Sequence, residues 1–109
     1  MIPWKEFYES AEENFQKGRY TAASEDYAKA IFLMIDEYLK KKYGITVTNH
    51  QERRLFLLSK AETDENCKKL LEIYERVYEI YRETYTRSLT KEEALILRML
   101  AENVRKIIE

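Results

Sequence analysis

Two glycines and one proline are all that punctuate the 109 residues of this chain. A β-sheet turns back on itself every few residues and draws on glycine, proline and their turn-forming neighbours each time. Gly18 and Gly44 are too few for that. They suit the left-handed ends of two long helices, a conformation other residues resist, and Pro3 suits a first helical turn, where its missing N–H is no loss. The chain is therefore expected to be all-α.

Apolar spacing supports this helix by helix. Trp4, Phe7, Tyr8, Ala11 and Phe15 recur every three to four residues before Gly18. A second helix is expected from about Thr21 to Lys42. Ala23, Tyr27, Ala30, Ile31, Met34, Ile35 and Tyr38 line it, and Phe32 with Leu33 widens the stripe, as in the central helix of a bundle. The alternating stretch Ile45-Thr46-Val47-Thr48 is β-prone but reads better as an extended connection. Asn49 with Glu52 forms a capping-box pattern opening a short helix, with Leu55, Phe56 and Leu58 as its apolar residues. Thr63 or Asp64 can cap a fourth helix. That helix carries Leu70, Leu71, Tyr74, Val77, Tyr78, Tyr81 and Tyr85 over about twenty residues, roughly 30 Å. Thr90 with Glu93 repeats the capping box before Ala94, Leu97, Ala101, Val104 and Ile108. Short connections then give one domain, residues 1–109: an up-and-down antiparallel bundle of four long helices and one short one.

Composition bounds the function. Apolar residues at 45% and charged residues at 36% describe a globular chain, and a net charge of −1 carries no overall signature of polyanion binding. No apolar segment approaches the ~20 residues of a membrane span and no leader is read, so a cytoplasmic protein is expected. The single cysteine, Cys67, excludes an internal disulfide and suits a reducing compartment. Abundant Lys, Glu, Tyr and Ile with little Gln hint at a thermophilic source.

No metalloprotease motif, phosphate-binding glycine loop or Cys-x-x-Cys is present, so no metal and no cofactor is implied. His50, the only histidine, reads as a general base or phosphate contact, or simply as a first-turn residue beside a cap. Cys67 reads as a packed residue, or as a thiol activated by the fourth helix's dipole. Glu12-Glu13 and Glu92-Glu93 suit helix N-terminal halves better than catalysis.

Two features point to a binding site. Between residues 40 and 60 the bases are Lys40, Lys41, Lys42, Arg53, Arg54 and Lys60, against one acid, Glu52. Such a patch can hold phosphates, although lysines closing a helix also answer its dipole. On the fourth helix, Tyr74, Tyr78, Tyr81 and Tyr85 interleave with Arg76 and Arg82, followed by Arg87. The same stripe suits base stacking and phosphate clamping, or core and dimer packing. The candidate ligand-binding residues are Arg53, Arg54, Arg82, Arg87, Tyr85 and His50. Excess apolar and tyrosine surface on the second and fourth helices predicts a homodimer.

Lys17-Gly18-Arg19-Tyr20, the Ala- and aromatic-rich run from Ala23 to Ala30, the break at Gly44 and the stretch Ser88-Leu89-Thr90-Lys91-Glu92-Glu93-Ala94 before a last amphipathic helix together resemble the HEPN superfamily, archaeal members above all. The resemblance implies a small helical bundle, commonly dimeric. It implies binding of a nucleotide or RNA, or a nucleotidyltransferase partner of the kind met in toxin–antitoxin pairs. Many such proteins are ribonucleases with Arg, four to six residues, then His. This chain departs from that pattern: no histidine follows Arg82, and Tyr43, Gly44 and Ile45 stand where an arginine would precede His50. A non-catalytic HEPN-like binding protein is therefore expected. A degenerate HEPN ribonuclease is one rival. The other is a tetratricopeptide-like interaction module, because Gly18, Tyr20, Ala23, Tyr27 and Ala30 also fit one such unit, although the following ~34 residues do not repeat it.

Overall fold

The structure, a computed structural model, describes residues 3–109. Five helices follow one another, α1 (Trp4–Gln16), α2 (Tyr20–Tyr43), α3 (His50–Lys60), α4 (Glu65–Glu83) and α5 (Lys91–Ile108), and no strand occurs among the described residues. The ends follow local chemistry. Pro3 precedes α1 as its extended cap residue rather than sitting inside the first turn. Gly18 and Gly44 take φ of +74° and +67°, the left-handed region, at the ends of α1 and α2. Asp64, not Thr63, caps α4 by accepting from the Asn66 and Cys67 N–H groups. Thr90 and Glu93 complete the reciprocal capping box of α5. The box expected at α3 is only half formed: Asn49 accepts from the Glu52 N–H, but the Glu52 carboxylate turns to Thr48 instead of the Asn49 N–H.

Side-chain pairings set the directions of the helices. Phe15 packs on Tyr20 and Tyr8 on Tyr27, so α1 and α2 run antiparallel. Tyr38 reaches Asp64 while Phe32 lies against Tyr81, so α2 and α4 do too. Glu12 pairs with Arg98 and Tyr8 with Glu102, which sets α1 against α5. The four long helices thus alternate down the chain, as the sequence predicts. α2 is central, burying Tyr27, Ile31, Phe32, Met34, Ile35 and Leu39 among others.

α3 breaks the alternation. His50 lies against Phe32 and Arg53 forks onto Asp36, so α3 points the same way as α2; His50 also lies near Tyr81 while Arg53 lies near Tyr74, so α3 is antiparallel to α4. The chain must therefore climb back along α2 before α3 can descend. Residues 45–49 do this in extended form, and five extended residues span about 16 Å, the length of the eleven-residue helix that follows. Ile45 and Val47 pack against the core on the way.

The buried face of α3 differs from the expected one. Leu55 and Leu58 are half exposed, whereas Arg53 and Leu57 are buried. The reason is Asp36 on α2: only the face carrying Arg53 can neutralise it.

Candidate functional site

The site lies where α3 meets α2 and α4. Arg53, on the second turn of α3, forks onto Asp36, with Nε donating to Oδ1 at 2.6 Å and Nη2 to Oδ2 at 2.8 Å. Its guanidinium stacks between Phe32 (5.2 Å) and Tyr74 (5.7 Å). Burial disfavours its charge, yet the Asp36 carboxylate outweighs that and holds its pKa above the ordinary value.

The third arm of Arg53 fixes His50. Arg53 Nη1 donates to His50 Nδ1 at 2.7 Å, and a guanidinium is always a donor. The imidazole must then be the Nε2–H tautomer. Tyr74 Oη lies 3.1 Å from the same Nδ1 and 3.2 Å from the His50 carbonyl, to which it can donate. Burial first, then Arg53, push the His50 pKa below its ordinary value. His50 is neutral at pH 7, its Nδ1 lone pair already occupied.

Above this network opens a cleft of about 380 Å³ lined by His50, Gln51, Arg54, Tyr74, Glu75 and Tyr78. Tyr78 lies 4.8 Å from the His50 ring and stacks on Tyr74 at 5.8 Å and 19°. Arg82 rests over Tyr78, its guanidinium carbon 6.0 Å from the ring centre. The cleft offers a half-buried aromatic face, a fixed imidazole N–H and two guanidinium groups at its rim.

The six expected ligand residues do not converge on one site. His50 and Arg54 line the cleft, Arg82 borders it, and Arg53 lies beneath it, committed to Asp36. Arg87 is elsewhere, bound to Glu83 at 2.6 Å and Glu93 at 2.5 Å. Those carboxylates raise its pKa further, while Arg87 and the Thr90 N–H hold Glu93 down at about 2. Tyr85 falls beyond the end of α4, exposed, with its hydroxyl against that of Tyr81.

The basic segment also dissolves in three dimensions. Lys41, Lys42, Arg53 and Arg54 pair with Glu37, Asp64, Asp36 and Glu75, all acids outside residues 40–60. Lys60 lies over the ring of Tyr43. The expected apolar excess on α2 and α4 is likewise absorbed: Tyr27, Tyr74 and Tyr81 are core residues.

Cys67 is buried, and its thiol is 3.4 Å from Asp64 Oδ2. Burial, then that carboxylate, push the thiol up to about 12, the opposite of activation. Burial also works against the Asp64 charge, but hydrogen bonds from Lys42, Tyr43, Tyr38 and the Cys67 N–H hold its carboxyl well below the ordinary range. This cluster staples the start of α4 to the end of α2. Among the described residues no His, Cys, Asp and Glu cluster is arranged to hold a metal ion, and no helix is long and apolar enough to cross a membrane.

Asp36 and Phe32 beneath the cleft, and Gln51 and Glu75 on its wall, are the site residues that sequence reasoning missed. The signal was Asp36 itself, a carboxylate directly after the apolar run 31–35 on the most buried helix. No known protein family matches the chain, nor does any curated protein or solved structure.

Proposed function

We propose that this chain is a HEPN-like, non-catalytic helical binding protein whose cleft between α3 and α4 takes a nucleotide. One observation carries the reading: a neutral imidazole, locked with its proton on Nε2, stands beside the Tyr78 ring and the Arg54 guanidinium in one cleft. A planar heteroaromatic ring with an acceptor edge suits the first two, and a phosphate suits the third. The cleft volume falls within the usual range for small-ligand sites. The same lock argues against proton transfer, since a base needs the lone pair that Arg53 already holds. Long RNA is the weaker ligand, because the arginines do not form a continuous basic track.

Leu55 and Leu58, half exposed on α3, support a second reading in which α3 docks a protein partner. The HEPN resemblance makes a nucleotidyltransferase its natural identity.

Calorimetric titration with adenosine and guanosine nucleotides in low salt tests the first reading. Binding in the range of tens to hundreds of micromolar is expected, weakening as salt screens the phosphate. Tyr78→Ala should weaken it at least tenfold, as loss of one stacking face does, and Arg54→Ala should weaken triphosphate binding. Arg87→Ala, remote from the cleft, should change nothing. Absence of any nucleotide binding in low salt removes this reading and leaves the protein-docking one.

A further inference from the structure

The α5 helix presents a second surface that the cleft does not use. Its buried residues, Ala94, Leu97, Leu100, Ala101 and Val104, face the core. Arg98, Glu102 and Arg105 lean towards α1, where they meet Glu12, Tyr8 and Trp4. At 100° per residue, Met99 falls opposite the centre of the buried face. Around it lies an exposed stripe at three-to-four spacing: Glu92, Leu95, Met99, Asn103 and Lys106. Leu95 is 41% exposed and Met99 50%, so the monomer gives neither a packing partner on that side.

We propose that this stripe is a two-fold self-docking surface, on which the α5 helices of two copies lie antiparallel with Met99 at the axis. Such a pairing matches residues whose numbers are symmetric about 99. Met99 meets its own copy. Glu92 meets the second copy's Lys106 at both ends. Leu95 lies level with the second copy's Asn103, which borders an open groove between α4 and α5 lined by Lys69, Glu72, Ile73 and Ile107. Each stripe thus meets an identical stripe, with Met99 against Met99 and Glu92 against Lys106 twice, the self-complementarity that a closed two-fold contact requires.

The charges make the same point. Glu13, Glu12, Glu93, Arg98 and Arg105 all have ion-pair partners within the chain, but none of the ion pairs among the described residues includes Glu92 or Lys106. Fourteen residues apart on one helix, they are separated by about 21 Å and cannot meet each other. The two-fold brings them together twice. The helix dipole also favours an acid at the start and a base at the end of α5, and the experiment separates the two explanations.

Sedimentation equilibrium on the intact protein is the assay, with circular dichroism to check folding. A single stripe of this length is a small interface, so a dimer dissociating in the tens of micromolar is expected. Met99→Glu puts two like charges on the axis and should weaken the dimer at least tenfold without changing helicity or Tm. Glu92→Lys alone should weaken it several-fold, and Glu92→Lys with Lys106→Glu should restore it, although that pair opposes the dipole at both ends. In a Cys67→Ala background, Met99→Cys should cross-link between copies under mild oxidation and Leu55→Cys should not. A monomer at several hundred micromolar, a dimer indifferent to Met99→Glu, or a charge-reversed pair no better than the single change would each overturn the proposal.

Discussion

Two arginine clamps of the same chemistry hold the outer helices to this bundle. Arg53 ties α3 to Asp36 of α2, and Arg98 ties α5 to Glu12 of α1 at 2.9 Å through both Nε and Nη2. Each fork also rests on a phenylalanine, Phe32 at 5.2 Å and Phe15 at 5.4 Å. They differ in surroundings. The Arg53 and Asp36 side chains are 9% and 16% exposed, those of Arg98 and Glu12 38% and 28%. Water still screens the Arg98 pair, so it adds little on its own. At Arg53 water is largely excluded, and each charge depends on the other to remain tolerable. The difference teaches that fork geometry does not set what a clamp is worth. What the fork excludes does.

The largest effect expected is at Asp36. Asp36→Ala leaves the Arg53 guanidinium buried without its counter-charge and should cost about 3–5 kcal/mol, read as a lower midpoint in urea unfolding. Replacing both members, Asp36→Leu with Arg53→Met, removes the charges together and should recover most of that loss. A double variant as unstable as the single one would show that the clamp is worth having for itself rather than merely costly to break.

A smaller effect distinguishes the clamps by pH. His50, pressed against Arg53, has a pKa lowered in the folded protein. The folded state therefore binds fewer protons than the unfolded chain, and stability, full above the ordinary histidine value near 6.5, falls as pH drops through it. Unfolding midpoints taken between pH 7.5 and 5.5 should decline in the wild type and flatten in His50→Gln. No histidine adjoins Arg98, since His50 is the only one in the chain. Arg98→Met should accordingly leave the slope of that decline unchanged.

Arg98→Met is also the smallest expected change in stability, below about 1 kcal/mol at neutral pH, because the apolar stem over Phe15 is kept. If its loss equals that of Asp36→Ala, exposure is not what separates the clamps.

The long helices were legible because their signals are local. Gly18, Gly44 and the Thr90–Glu93 pair mark ends within a few residues of the chain, and the wide apolar stripe of α2 marks a central helix. α3 was legible as a helix but not in its orientation. Leu55 and Leu58 promise an apolar face, but what decides the matter is Asp36, seventeen residues before Arg53. The basic segment misled for the same reason: counted along the chain it gathers six cations, yet Glu37, Asp36, Asp64 and Glu75 reach it through space. His50 and Arg54 could be picked out by residue type, whereas the cleft joining them to Tyr78 depends on a helix packing that no period in the sequence encodes.

Tyr43 Oη reaches Asp64 Oδ2 at 2.7 Å, so the chain leaves the bundle at Gly44 and rejoins it beside the place it left. The extended residues 45–49 and α3 between those points form a side branch, and a much shorter link between Tyr43 and Asp64 would still connect the four alternating helices. Such a branch is a natural unit of local opening, able to peel away once Arg53 releases Asp36 and Leu57 leaves the core, while α2 and α5 stay packed. In hydrogen exchange its amides should therefore trade with solvent as a block, ahead of those in α2. Because His50 and Arg54 ride on the branch and Tyr78 on the fixed bundle, any molecule spanning the two seals the hinge, and its affinity can be read directly as slowed exchange along α3.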